Sequence, residues 1–196
     1  MKFNLIGYAI IALILIICIR IYTDSDHFNL KCITSDVDGK KYCVRDRAKL
    51  ELAADRLATI NVKMNQLVEH CYKKYPEREN VKRLKKGYNP SEIYETLPSS
   101  EFTAYSQNKG EKMAFCINTK KDGGSLIDIN TLTFVAIHEL SHIATESVGH
   151  NDEFWNNFKF LLEESNEIGI YKPVDYKKNP QDYCGMKIKD SPYFDM

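Results

Sequence analysis

The stretch Ile137-His138-Glu139-Leu140-Ser141-His142 (IHELSH), with His150 eight residues further on, decides how the rest of this chain is interpreted. On an α-helix, residues four apart lie on the same face, so His138 and His142 can bind one Zn²⁺ without distorting the backbone. Glu139 lies about 100° round the helix from His138. A carboxylate at that angle flanks the ion and can take a proton from a zinc-bound water.

The third zinc ligand is less sharply defined by the sequence. A catalytic zinc ion needs three protein ligands and one open position for water. His150 is the first candidate, because the glycine before it lets the chain turn back after the helix ends. Glu163 and Glu164 remain alternatives, since they lie on the next predicted helix. Glu146 would lie about 12 Å along the helix axis from His138, too far for one ion.

Apolar periodicity predicts three long helices in the chain. The first shows apolar residues at alternating spacings of three and four; Asp46 can cap it, and Pro76 ends it. We expect this helix to pack against the domain's own sheet rather than to form a coiled coil. The predicted bounds are Asp46 to Tyr75, Asn130 or Thr131 to Glu146, and Asp152 to Asn166.

Strand patterns predict a small sheet beside these helices. A hairpin is expected over residues 28–45, with Asp38-Gly39 at its turn, and two strands over 102–106 and 113–118. Residues 76–98 are rich in charged side chains and are interrupted by turn-forming glycine and proline residues. Residues 169–196 have no regular pattern. The expected fold is α+β: a small mixed or antiparallel sheet, a long packing helix and the helix of the IHELSH motif. An extended peptide could add to the exposed sheet edge.

The N-terminal segment is apolar over residues 5–19 and extends to residue 22 across Arg20. Because no small-x-small cleavage site follows, we predict an uncleaved, single-pass membrane anchor in residues 1–22 rather than a signal peptide, followed by one domain in residues 23–196. The positive-inside rule then favours a cytoplasmic N-terminus and a domain on the non-cytoplasmic side. Residues 5–22 would make the membrane contact.

Charge and cysteine usage narrow the functional classes. Lys2 and Arg20 are the only charged residues among the first 20, so the remainder carries a net charge of −2 and gives no electrostatic sign of nucleic-acid binding. Cys18 lies in the apolar segment, which leaves five cysteines for the domain. An odd number excludes complete internal pairing. Cys32 and Cys43 flank the predicted hairpin and could pair.

HELSH followed by GH-x-x-x-FW resembles the zincin metallopeptidases and is most similar to the WLM and SprT-like groups. The matching residues are His138, Glu139, His142, His150, Phe154 and Trp155. Five residues separate the second and third histidines in the usual WLM pattern, and seven do here. The stretches 104–118 and 126–145 also resemble an uncharacterised metallopeptidase-like group of large DNA viruses. That second resemblance covers most of residues 30–194.

The resemblance implies a zinc-dependent metallopeptidase with an α+β fold that hydrolyses peptide bonds of a polypeptide substrate. His138, His142 and His150 would bind Zn²⁺, and Glu139 would be the general base. The alternative is a membrane-anchored structural or interaction protein, such as a virion component, with a non-catalytic zinc site. Intact Glu139 argues against this alternative, because a structural site has no use for a general base.

Supporting residues for such a site are left open by the sequence. Tyr171 and Tyr176 are candidate donors to the oxyanion that forms during hydrolysis. Asp128 and Asp152 are candidate acceptors for the second ring N–H of a ligating histidine. Met186 could lie beneath the metal.

Overall fold

The computed structural model of the chain describes residues 5–23, 30–121 and 123–195. The α-helices are α1 (Leu5–Thr23), α2 (Leu50–Lys74), α3 (Glu79–Gly87), α4 (Ile129–Ala144) and α5 (Asp152–Glu167), and a short 3₁₀ helix spans Pro192–Phe194. The strands are β1 (Leu30–Thr34), β2 (Lys41–Arg45), β3 (Ile93–Glu95), β4 (Ala104–Gln107), β5 (Lys112–Phe115), β6 (Asn118–Lys120), β7 (Gly123–Leu126), β8 (Gln181–Tyr183) and β9 (Met186–Ile188).

The main sheet has five strands in the order β1-β2-β3-β5-β4. Its outer pairs, β1–β2 and β4–β5, are antiparallel, whereas β2–β3 and β3–β5 are parallel. The predicted α+β class with a small mixed sheet is therefore confirmed. Strand β4 forms one edge of the sheet and packs beside α4, the helix that carries IHELSH.

Helix α2 packs its predicted apolar stripe into the core, as expected. Six stripe residues are buried: Ala53, Leu57, Ile60, Met64, Leu67 and Cys71. The predicted start at Asp46 is wrong, because the helix begins at Leu50 and the carboxylate of Asp46 instead pairs with Lys31 at 2.7 Å. The helix ends at Lys74, two residues before Pro76, consistent with the predicted stop.

Helix α4 begins slightly earlier than predicted. Asp128, in an extended conformation, accepts a hydrogen bond from the backbone N–H of Thr131 at 2.9 Å and is the N-cap. The predicted caps, Asn130 and Thr131, are therefore both inside the helix. Asn151 caps α5 in the same way, through the N–H of Phe154 at 3.1 Å.

Three regions contain strands that the sequence reading missed. Strands β6 and β7 pair antiparallel as a separate two-stranded sheet. Strand β3 lies in the charged segment 76–98, yet it occupies the middle of the sheet. The tail, predicted to be irregular, forms the β8–β9 hairpin, in which Cys184 and Gly185 both have positive φ at the turn. A disulfide between Cys116 and Cys184 fastens this hairpin to the end of β5.

The β1–β2 hairpin is confirmed from residue 30 onward, and the predicted residues 28 and 29 lie outside the described residues. Its strands are joined by a Cys32–Cys43 disulfide, a pairing that the sequence analysis considered possible. Cys71 is the domain cysteine left over, and it is buried as a free thiol.

The predicted membrane anchor over residues 5–22 is wrong. In the part of the chain that the structure describes, no helix combines the length and the apolar character required to span a membrane. Helix α1 has 19 residues, with Arg20 in its last turn. The predicted membrane location depended on this anchor and is therefore wrong as well. The boundary near residue 22 stays a prediction.

Candidate metal centre and cleft

Three imidazole rings converge at the C-terminal half of α4. The ring centroids of His138 and His142 are 5.0 Å apart, and that of His150 lies 5.0 Å from the first and 4.8 Å from the second. One nitrogen from each ring falls within 4.8 Å of the others. His138 and His142 meet because they are one helical turn apart, whereas His150 returns to them from the loop after the helix.

The spacing of these nitrogens fits a single zinc ion. The Nε2 atoms of His138 and His150 are 3.1 Å apart. Two nitrogens bound to one tetrahedral Zn²⁺ at 2.0–2.1 Å lie about 3.4 Å apart. Burial, with the neighbouring histidines, lowers the pKa of His138 to about 3, and mainly burial lowers that of His142 to about 4. Both rings are therefore neutral at physiological pH, which is the form that binds zinc.

Aromatic side chains from α5 hold the three rings in place. The ring of Phe154 packs against all of them, with centroid distances of 4.9 Å to His138, 4.4 Å to His142 and 4.6 Å to His150. The indole Nε1–H of Trp155 donates to the backbone carbonyl of His150 at 3.1 Å. The Phe-Trp pair thus fixes both the ring and the backbone of the loop histidine.

Glu139 lies on the same helix and lines the same cleft as the histidines. It is buried, and burial raises the pKa of its carboxyl group to about 8. Tyr183 packs nearby, where burial and the charge of Glu139 raise the pKa of its phenol. The Tyr183 hydroxyl donates to the carbonyl of Thr103 at 3.0 Å, and so connects the C-terminal hairpin to the chain just before β4.

The cleft over these residues has a volume of about 930 Å³. One wall is the edge strand β4, all four residues of which line the cleft. Another is the loop of residues 147–150. An edge strand beside a metal-binding helix can pair with an extended peptide through main-chain hydrogen bonds. The cleft therefore has room for a polypeptide segment next to the three histidines.

The loop that carries His150 is braced by two charged side chains. The carboxylate of Glu153 accepts hydrogen bonds from the N–H groups of Glu146 (3.0 Å) and Ser147 (3.2 Å) and from the Ser147 hydroxyl (2.7 Å). The Lys109 ammonium, from the β4–β5 turn, donates to the carbonyls of His142, Thr145 and Ser147. The seven residues between His142 and His150 are therefore held in place by these hydrogen bonds.

Over 191 residues the chain is 31% identical to the uncharacterised protein R325 of Acanthamoeba polyphaga mimivirus, and the match covers 93% of this chain and 91% of that protein. The chain belongs to the family of this mimivirus protein. Shorter matches link the family to protein 136R of Invertebrate iridescent virus 6, at 33% identity over 41% of this chain and 44% of that protein. Protein 042R of Invertebrate iridescent virus 3 is 37% identical over 30% of this chain and 36% of its own length. These relatives confirm the predicted resemblance to proteins of large DNA viruses.

No family model matches the chain. Among solved structures, the fold is similar to the crystal structure of Wss1 from Saccharomyces cerevisiae, with a TM-score of 0.45 and 16% identity. The similarity covers 62% of this chain and 83% of the Wss1 chain.

In this member of the family, the carboxylates considered as alternative third ligands lie elsewhere. Glu164 is engaged with His70 at 2.8 Å, Tyr75 at 2.8 Å and Lys74 at 3.0 Å. His70, Glu164 and Glu167 are close enough together to hold an ion, but the Lys74 ammonium already lies between the two carboxylates. Glu163 is exposed on α5 and does not line the cleft.

The other residues proposed to support the site are not brought to the cleft. Tyr171 and Tyr176 are buried and pack against Phe134, with centroid distances of 6.0 and 4.7 Å. Asp128 is the N-cap of α4, at the far end of the helix from His142. Asp152 is exposed at the start of α5. Met186 is half exposed on β9. None of these side chains lines the cleft, so no oxyanion donor can be assigned to them.

Sequence reading missed Lys109, Glu153 and Tyr183, which connect the site to its surroundings. Lys109 stands in the turn Asn108-Lys109-Gly110, and a lysine in a turn carries no signal of a structural role. Glu153 in the first turn of a helix is ordinary, because carboxylates are favoured there. Only the folded chain shows that Lys109 contacts the C-terminal end of α4 and that Glu153 contacts the loop after it.

Proposed function

We propose that this protein is a zinc-dependent metallopeptidase. The observation that supports the proposal is the convergence of His138, His142 and His150 within 4.8 Å, beside Glu139, on a cleft bordered by an edge strand. Three imidazoles leave a tetrahedral ion one open position, as hydrolytic sites require and structural sites do not. Zinc in this position would supply a Lewis acid that lowers the pKa of water and polarises the scissile carbonyl.

The protein residues would act as follows. The three histidines hold the ion, with Phe154 and Trp155 fixing their rings and the His150 backbone. Glu139 takes a proton from the attacking water and later passes it to the leaving amine. Burial raises the pKa of this carboxyl group from its ordinary value, towards the range in which one group can both accept and return a proton. Strand β4 holds the substrate extended beside the histidines by main-chain pairing.

A non-catalytic zinc site is the alternative. A site that only stabilises a fold is closed by a fourth protein ligand. In the part of the chain that the structure describes, the ion-binding cluster at α4 contains three residues, and it opens on a cleft of about 930 Å³. Burial of the Glu139 carboxyl group also destabilises the fold, and this cost would have no functional benefit if Glu139 had no role in catalysis. Both features favour the peptidase.

The test measures zinc content and proteolysis with the full chain. We expect about one zinc per chain by elemental analysis, and cleavage of an unfolded protein such as casein that stops on chelation and returns with zinc. Glu139→Gln should keep zinc and lose at least about 100-fold in cleavage rate, since general-base catalysis contributes 10²–10⁴-fold. Glu51→Gln, an exposed glutamate on α2, is the matched control. Full activity of Glu139→Gln, or protein without bound zinc after exposure to the metal, contradicts the proposal.

A further inference from the structure

The walls of the cleft carry exposed apolar side chains from two separate segments. Phe102, just before β4, is 61% exposed, and Val148, between the second and third histidines, is 91% exposed. Both line the cleft, as do Ala104 and the histidine rings. A single exposed apolar residue is ordinary, but two large ones facing one cleft above a candidate catalytic centre form a contact surface for something apolar.

Both side chains stand on ordered backbone. The ring of Phe102 packs edge-on against Tyr105 with centroids 6.2 Å apart, and its backbone N–H and carbonyl both bond the hydroxyl of Ser100, at 3.2 and 3.0 Å. Val148 follows Ser147, which Glu153 holds through two hydrogen bonds. These apolar groups are therefore already in position for a ligand, which reduces the entropy lost on binding.

The charged groups on the cleft are already engaged. Among the residues lining it, the acidic and basic side chains other than the histidines are Lys109 and Glu139. The Lys109 ammonium donates to three backbone carbonyls, and Glu139 is buried beside the histidines. A charged substrate side chain would lose its hydration here and find no opposite charge to replace it.

We propose that the cleft selects polypeptide segments with a large apolar side chain next to the bond to be cleaved, and that Phe102 and Val148 contact this side chain. The inference rests on the proposed function, because the candidate catalytic residues define which peptide bond is meant. Discrimination comes both from burying apolar surface and from the desolvation penalty on charged residues. Phe102 and Val148 are specificity-determining residues and take no part in the chemistry.

The experiment measures peptide binding by the full-length Glu139→Gln protein loaded with zinc, so that hydrolysis does not interfere. Three fluorescent peptides share one sequence and differ at one central residue, which is Leu, Asp or Lys. The Leu peptide should bind at least about tenfold more tightly than the other two, the gain expected from burying one aliphatic side chain. Fluorescence anisotropy gives the three dissociation constants.

Variants test whether the preference for the Leu peptide is caused by residues of the cleft. Val148→Asp and Phe102→Asp should each weaken binding of the Leu peptide about tenfold. Each should also reduce or reverse the difference in affinity between the Leu peptide and the Lys peptide. Val37→Asp is the matched control, because Val37 is 48% exposed in the β1–β2 turn, at the other edge of the sheet. Zinc content checks that each variant keeps its site, and the two cleft variants lie in different segments, so a folding failure in one leaves the other.

Two results would overturn the inference. One is equal affinity for the Leu, Asp and Lys peptides. The other is a Leu preference that survives Val148→Asp and Phe102→Asp as it survives Val37→Asp. Failure of the proposed function looks different: the parent protein would bind the Leu peptide with the expected selectivity but cleave none of the peptides.

Discussion

The ammonium group of Lys109 lies 2.7 Å from the carbonyl oxygen of Thr145, across the end of the helix that carries His138 and His142. It also donates to the carbonyls of His142 at 3.1 Å and Ser147 at 3.0 Å. The last carbonyls of a helix have no intrahelical donor, and a cation there also interacts favourably with the helix dipole. The β4–β5 turn and the C-terminal end of α4 therefore form one unit.

Replacing Lys109 should loosen the candidate zinc site although Lys109 binds no metal. We expect Lys109→Met to weaken zinc binding by about tenfold, within the 10–100-fold range seen when residues that orient ligands are removed. The carbonyls of His142 and Ser147 lose their donor, and these residues flank the start of the loop to His150. Competition with a chelating dye measures the affinity.

The control for this variant is Lys86→Met, which removes an exposed lysine from the nearby end of α3. It should bind zinc as the parent protein does. If Lys109→Met also matches the parent, the contacts of the ammonium group do not contribute to the metal site.

His150 and Glu163 can be compared directly as third ligands. His150→Ala should lower zinc affinity by more than about 100-fold, because loss of a ligand exceeds the effect of losing a residue that only orients one. Glu163→Ala should leave the affinity unchanged, since Glu163 is exposed and lies outside the cluster of three histidines. Isothermal titration with zinc at pH 7 measures both variants. The reverse pattern would transfer the ligand role to the glutamate.

The parts of the fold that were predictable are those with a strong local period. The stripe on α2 and the turn at Asp38-Gly39 depend on neighbours along the chain, and the sequence displays them. Strand β3 has three residues, Ile93-Tyr94-Glu95, and pairs in parallel with strands distant in sequence. Three residues in a charged segment carry too little pattern to show that they cross the middle of a sheet.

The candidate site also has a part that the sequence predicts and a part that it does not. His138, Glu139 and His142 are brought together by helical spacing alone, so the sequence was sufficient for them. His150 reaches the others through a loop braced by Lys109 and Glu153, and no local rule relates these residues. The apolar run over residues 5–22 led to a wrong membrane prediction, since no helix among the described residues is both long and apolar enough to span a membrane.

Glu153 gives the loop a defined dependence on pH. Hydrogen bonds from the backbone N–H of Glu146 and from Ser147 lower the pKa of its carboxyl group from the ordinary 4.5 to about 2. A carboxyl group with a lowered folded-state pKa adds stability above its unfolded pKa, and this stability is lost as the pH falls through the folded pKa. The contribution of Glu153 should therefore be complete above pH 4.5 and fade towards pH 2.

The comparison between the parent protein and Glu153→Gln isolates this contribution. Denaturant unfolding at a series of pH values should show the parent to be more stable at pH 6, with the difference shrinking between pH 4.5 and pH 2. Glu146→Gln is the control, because its carboxylate is exposed and accepts only the long contact with Arg83 at 3.4 Å. A difference between parent and Glu153→Gln that is constant over this range would show that the carboxylate does not act through its charge.

The six cysteines should react in three distinct steps. Cys18 is exposed, Cys71 is a buried free thiol, and the other four form the Cys32–Cys43 and Cys116–Cys184 disulfides. Burial, followed by the charge of Glu164, raises the pKa of Cys71 to about 12, and the thiolate is the reactive form. A thiol reagent at pH 8 should therefore label one cysteine in the native protein, two in unreduced denaturant and six after reduction.

The variant Cys71→Ala assigns the second step. It should still show one reactive thiol when native and gain none on unfolding without reductant, whereas the parent gains one. Mass spectrometry of the labelled protein counts the adducts directly. Six labels in unreduced denaturant would show that neither disulfide had formed, and the C-terminal hairpin carrying Tyr183 would then be attached to β5 by non-covalent contacts alone. Two labels in the native protein would show instead that the core around Cys71 opens to solvent.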